Sequence, residues 1–87
     1  MTWRITLTPK AAKDLAGIHE PNHARLIARL QGLTLEPRPL GAPRLKGSHF
    51  HRLRAGDWRV IYEIDDTQHL IVVARVLRRS EKTYRDL

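Results

Sequence analysis

Arginines at strand-alternating positions are the residues of this chain best placed to do chemistry. They occur in Phe50-His51-Arg52-Leu53-Arg54-Ala55-Gly56-Asp57-Trp58-Arg59-Val60-Ile61-Tyr62 and again in Arg78-Arg79-Ser80-Glu81-Lys82-Thr83-Tyr84-Arg85. Successive strand residues point to opposite faces, so the pattern collects positive charge on one face of a sheet and apolar side chains on the other. Guanidinium groups gathered in this way suit phosphate, which they bind through planar, paired hydrogen bonds.

The composition agrees with that reading. Sixteen Lys and Arg face nine Asp and Glu in 87 residues, a formal net charge of +7, and twelve of the sixteen are Arg. Such an excess in a small domain points to a nucleic-acid partner, with an acidic protein or a merely solvated surface as the alternatives. Cysteine is absent, which excludes disulfides and thiolate metal sites and suits a reducing compartment. The opening Met1-Thr2-Trp3-Arg4-Ile5 lacks the apolar core of a signal peptide. The longest apolar run, Leu70 to Ala74, falls far short of the roughly 20 residues of a membrane span. A cytoplasmic protein with no membrane contact is expected, as one domain over residues 1–87.

Positioning the arginines requires a sheet. Trp3, Ile5 and Leu7 alternate with Arg4 and Thr6 as in a half-buried strand. Thr8-Pro9 reads as a helix N-cap followed by Pro at the first helical position, with Ala12, Leu15 and Ala16 as the apolar stripe and Gly17 at the end. Pro21 opens a second helix, in which Leu26, Ile27, Leu30 and Leu33 share a face while Arg25, Arg29 and Gln31 point elsewhere. Pro37, Pro39, Gly41, Pro43 and Gly47 make residues 34–47 a long loop. Three strands follow, His49 to Arg54, Trp58 to Ile64 and Leu70 to Leu77, joined by tight turns at Ala55-Gly56-Asp57 and Asp65-Asp66-Thr67-Gln68. The expected architecture is α+β, in the order βααβββ: a small antiparallel sheet, a helical hairpin packed on one face, and a short C-terminal helix or tail.

Strand parity assigns the faces. With an even hairpin loop, Arg52, Arg54, Arg59 and Ile61 share one face in any register, and a loop at Ala55-Gly56 sets Arg52 across from Arg59. The other face holds Leu53, Trp58, Val60, Tyr62 and Ile64, turned to the helices. On the last strand Leu70, Val72, Ala74 and Val76 form one apolar set, and Arg75 and Arg79 join the arginine face. Like charges directly opposite on a sheet are destabilising, and Glu63 is the one acid that offers itself there.

At these residues the chain resembles the RelE/ParE superfamily of bacterial toxins. The resemblance rests on Arg52 to Tyr62, the acidic turn Asp65-Asp66, the apolar strand ending in Arg78-Arg79 and the closing Tyr84-Arg85, and it extends over essentially the whole chain. It implies a RelE-like fold and a toxin of a type II toxin–antitoxin pair. It also implies a ribosome-dependent endonuclease of messenger RNA that works by transesterification through the ribose 2′-oxygen, with no metal and no cofactor. The implied partners are a RelB-like antitoxin, the ribosome and its messenger RNA, and operator DNA only through the toxin–antitoxin complex.

Carried over by position, the resemblance puts Arg52 and Arg59 on the scissile phosphate. Arg79 stabilises the transition state or protonates the leaving oxygen, and Tyr84 stacks on or orients a base. Lys46, Arg54, Arg75, Arg78, Lys82 and Arg85 become RNA-backbone contacts, and Phe50 stacks on a nucleobase. The chain departs from the family where RelE toxins carry two lysines, at Phe50 and Arg52. A guanidinium is a poor general base, which draws attention to His49 and His51, although parity turns both toward the helices. Arg78 competes with Arg79 for its role because the spacing to Tyr84 varies. The ParE branch, associated with DNA gyrase inhibition, and a non-catalytic basic binding module are the competing functions.

Overall fold

Thr8 opens the first helix as its residue type predicts. In the computed structural model, which describes residues 2–39 and 49–79, the Thr8 hydroxyl accepts from the Ala11 N–H at 3.1 Å and donates to the Ala74 carbonyl at 2.8 Å. One side chain thus caps a helix and ties it to the sheet. The elements are β1 (Arg4–Leu7), α1 (Pro9–Ala16), α2 (Asn22–Leu33), β2 (His51–Ala55), β3 (Trp58–Asp65) and β4 (Leu70–Arg78). At the start of α2 the Glu20 carboxylate accepts from the Ala24 N–H at 2.8 Å, supplying a cap that Pro21 lacks. The expected C-terminal helix or tail and most of the Pro/Gly loop lie outside the described residues.

The α+β class and the element order agree with the sequence reading; the sheet itself is mixed. Its strand order is β1-β4-β3-β2, with β2, β3 and β4 antiparallel and β1 parallel to β4. Alternation in Trp3 to Leu7 marked a strand without naming its partner. The chain crosses the helix layer after β1 and enters the sheet at the far edge, which leaves β1 to run beside β4 in the same direction.

The helices cover one face. Leu26, Leu30 and Leu33 from α2 meet Leu53, Val60, Tyr62, Ile71 and Val73 from the sheet. Complete burial of a leucine such as Leu26 stabilises by roughly 2 kcal/mol. Two expectations fail here. The buried stripe of the first helical segment is Ala11, Leu15 and Ile18, with Ala12 and Ala16 exposed. The apolar set of β4 is Ile71, Val73 and Val76, because the β3–β4 register shifts between Ile61 and Tyr62: Ile61 pairs with Arg75 and Tyr62 with Val73. Ala74 is the extra residue, and this bulge reverses the parity on either side of it.

At the bulge Asp14 of α1 does the work of a missing strand. Its carboxylate accepts from Arg75 Nε at 2.7 Å, from Arg75 Nη2 at 3.1 Å and from the Val76 backbone N–H at 3.0 Å. Both side chains are about four-fifths shielded from solvent. Asp14→Ala removes two bonds from a shielded guanidinium and orphans a backbone donor, so it is expected to cost about 2 kcal/mol or more. In a domain of this size that lowers Tm by about 10 °C. A thermal melt showing a fall of less than about 3 °C would contradict this account of the α1–β4 junction.

Candidate functional site

The β2–β3 turn decides how the arginines meet. Gly56 and Asp57 form the loop, and Gly56 has φ +62°, the left-handed conformation that glycine adopts without strain. The loop is one residue later than the Ala55-Gly56 reading, so Arg54, not Arg52, lies directly across from Arg59, and Arg52 faces Ile61. The face assignment is unaffected, since both loops are even: Arg52, Arg54 and Arg59 share the side of the sheet away from the helices.

Each arginine is held differently. Arg59 is 9 % exposed and its Nη1 donates to the carbonyls of Gly56 and Trp58, both at 2.8 Å, which ties the guanidinium to the turn. Arg52 has its Nε buried with no hydrogen-bond partner, a donor that an anion would satisfy. Among the described residues neither Arg52 nor Arg54 forms an ion pair. Arg79 follows β4, and its backbone N–H donates to the Asp57 carbonyl at 2.6 Å, fixing the residue beside the same turn. Ile61 and Leu77, both almost fully buried, lie between these positions on the face and stand apart from the main core.

Three expected contacts are placed elsewhere or used otherwise. Arg75 keeps its ladder position opposite Ile61, but its guanidinium is engaged by Asp14. Arg78 pairs with Trp58 in the ladder and so belongs to the helix side, where its Cζ stands 5.5 Å from the centre of the indole ring. It does not share the face of Arg79. Phe50 precedes β2 and its ring stacks on His49 with centroids 4.8 Å apart. Lys46, Lys82, Tyr84 and Arg85 lie outside the described residues.

The histidines separate. His51 pairs with Tyr62 in the ladder and stacks on its ring at 5.4 Å, on the helix side as parity requires. Tyr62 is buried and donates its hydroxyl to the Pro37 carbonyl at 2.8 Å; burial pushes its phenol up to about 12, so it stays a donor. His49 precedes the ladder and escapes the parity rule. Its Nε2 lies 3.3 Å from Glu63 Oε2, and Glu63 follows Arg59 and Ile61 along one face of β3. The imidazole therefore joins the arginine face.

On the helix side of the hairpin a cavity of about 530 Å³ opens between α2 and residues 55–58, with Arg25, Arg29, Trp58 and Arg78 in its walls. By sequence, Arg25 and Arg29 lie apart from the apolar stripe of α2. Their i, i+4 spacing on one helix face was the available signal.

The chain is similar to Toxin RelE of Mycobacterium tuberculosis, 35% identical over 80 residues, covering 90% of this chain and 82% of that protein. The sequence pattern of the ParE toxin of type II toxin–antitoxin systems, parDE, matches residues 5–83. The chain belongs to the RelE/ParE toxin superfamily. Solved relatives of this toxin include the Mycobacterium tuberculosis RelBE2 toxin–antitoxin complex, at 27% identity and a TM-score of 0.80, covering 91% of this chain and 100% of that one. The RelE–RelB complex of Pyrococcus horikoshii matches at 25% identity and a TM-score of 0.81, covering 94% and 100%. The toxin has, among its described residues, no helix long and apolar enough to cross a membrane.

Proposed function

We propose that this toxin is a ribosome-dependent endoribonuclease of messenger RNA, active in the cytoplasm and restrained by a cognate antitoxin. The observation that supports the reading is the placement of Arg52, Arg54 and Arg59 on one sheet face, with Arg54 directly across from Arg59. Stability alone disfavours that pairing, and a phosphate-bearing ligand offsets the repulsion.

In the proposed reaction a base takes the ribose 2′-proton, the 2′-oxygen bonds to the adjacent phosphorus and the bond to the 5′-oxygen breaks. The departing oxygen gains a proton, leaving a 2′,3′-cyclic phosphate and a 5′-hydroxyl. Arg52 and Arg59 neutralise the charge that grows on the phosphorane, and Arg79 stabilises or protonates the leaving oxygen. Tyr84 stacks on or orients a base; Lys46, Arg54, Lys82 and Arg85 hold RNA backbone, and Phe50 offers a stacking surface. His49 takes the part of the family's missing lysines. Glu63 Oε2, 3.3 Å from Nε2, would hold the ring by that nitrogen and leave Nδ1 as the proton acceptor, on the same side of the sheet as Arg52.

Expression of the toxin alone is expected to arrest growth and stop incorporation of labelled amino acids. Co-expression of the protein encoded by an adjoining small gene should restore both. Undiminished protein synthesis at high expression would exclude the reading, and arrest with translation intact but DNA supercoiling lost would favour the gyrase-directed ParE activity instead.

A further inference from the structure

We propose that the cavity between α2 and the β2–β3 turn is a second site for single-stranded RNA, in which Trp58 stacks on a base while Arg25, Arg29 and Arg78 hold flanking phosphates. The choice of RNA as ligand rests on the function proposed above; the site itself rests on the cavity. Its lining includes the apolar Leu26, Ala28 and Ala55, and its volume of about 530 Å³ lies within the range of small-ligand sites. Three guanidinium groups approach it from α2 and β4. Among the described residues none of the three is in an ion pair, and the lining contributes a single carboxylate, Asp57. Positive charge left uncompensated around a concave surface attracts an anion.

The aromatic wall makes the anion a nucleotide rather than a bare phosphate. The indole of Trp58 is half-buried and already holds the Arg78 guanidinium over its ring. A flat indole beside guanidinium groups is the combination that sequence-tolerant single-strand binders use, the ring for a base and the cations for its phosphates. Arg29 is oriented by one bond, from its Nη2 to the Arg54 carbonyl at 2.9 Å, which leaves its other donors for a ligand. Trp58 and Arg59 are consecutive and point to opposite faces, so positive surface continues around the Gly56-Asp57 turn from the arginine face into the cavity. One strand of RNA can follow it.

The test uses the full chain carrying Trp3→Phe, so that Trp58 is the sole indole, titrated with hexameric oligoadenylate in the absence of ribosomes. Saturable quenching of Trp58 emission is expected. Arg25→Gln, a change at an exposed helix position, should weaken binding several-fold and lower the slope of log affinity against log salt by about 0.7, the share of one single-strand phosphate. Trp58→Ala, followed by filter binding, should weaken it about tenfold or more. If that variant does not fold, Arg25→Gln decides. Emission unchanged at saturating oligoadenylate would overturn the site. So would oligoglutamate binding more tightly than RNA, which would give the cavity to an acidic protein segment. Quenching without cleavage of ribosome-bound message would remove the nuclease reading and keep the RNA site, and cleavage without quenching would do the reverse.

Discussion

Arg52→Ala and Arg79→Ala are each expected to lower the cleavage rate on saturating ribosomes by about 10²-fold or more, with little change in folded stability. Among the described residues the Arg52 Nε has no hydrogen-bond partner, and the described tie of Arg79 is its backbone N–H, which alanine keeps. Arg59→Ala loses a similar factor in rate and also two bonds to the hairpin carbonyls, so its Tm should fall as well. Arg54→Ala separates binding from chemistry: it should reduce affinity and flatten the salt dependence while the rate at saturation holds. Single-turnover cleavage measured beside thermal melts checks the set. Intact rates in both Arg52→Ala and Arg79→Ala would refute the active-face assignment.

The second large effect is expected at the histidine. A general base contributes about 10²-fold or more, so His49→Gln should cost that factor. Single-turnover cleavage on saturating ribosomes checks this, and ribosome affinity should change little in His49→Gln. Glu63→Gln keeps the size of the partner but weakens its hold on the imidazole, and a loss of about tenfold in rate with ribosome affinity retained marks Glu63 as a positioning residue. A His49→Gln rate close to the native one would assign the base elsewhere.

Much of this was legible from local chemistry. Thr8-Pro9 announced its helix, and period-two alternation put Arg52, Arg54 and Arg59 on one face without the register being known. What stayed hidden depends on the third dimension. Nothing in Leu70 to Arg78 marks Ala74 as an extra residue, so the faces of Ile71 and Val73 were read in reverse. Arg75 looked like its neighbours until Asp14, sixty-one residues earlier, was brought beside it. His49 was misplaced for a simpler reason: the parity of a strand governs residues within its ladder, and His49 stands before the first pair. The cavity combines helix and hairpin, and no single segment carries its pattern.

On the proposed function, the arginine face cuts messenger RNA held on ribosomes. Primer extension on a defined message after induction of the toxin measures this directly. The account predicts discrete breaks within codons of translated regions, ending in 2′,3′-cyclic phosphate and 5′-hydroxyl groups, present in the native chain and absent in Arg52→Ala. An intact message in growth-arrested cells would contradict it.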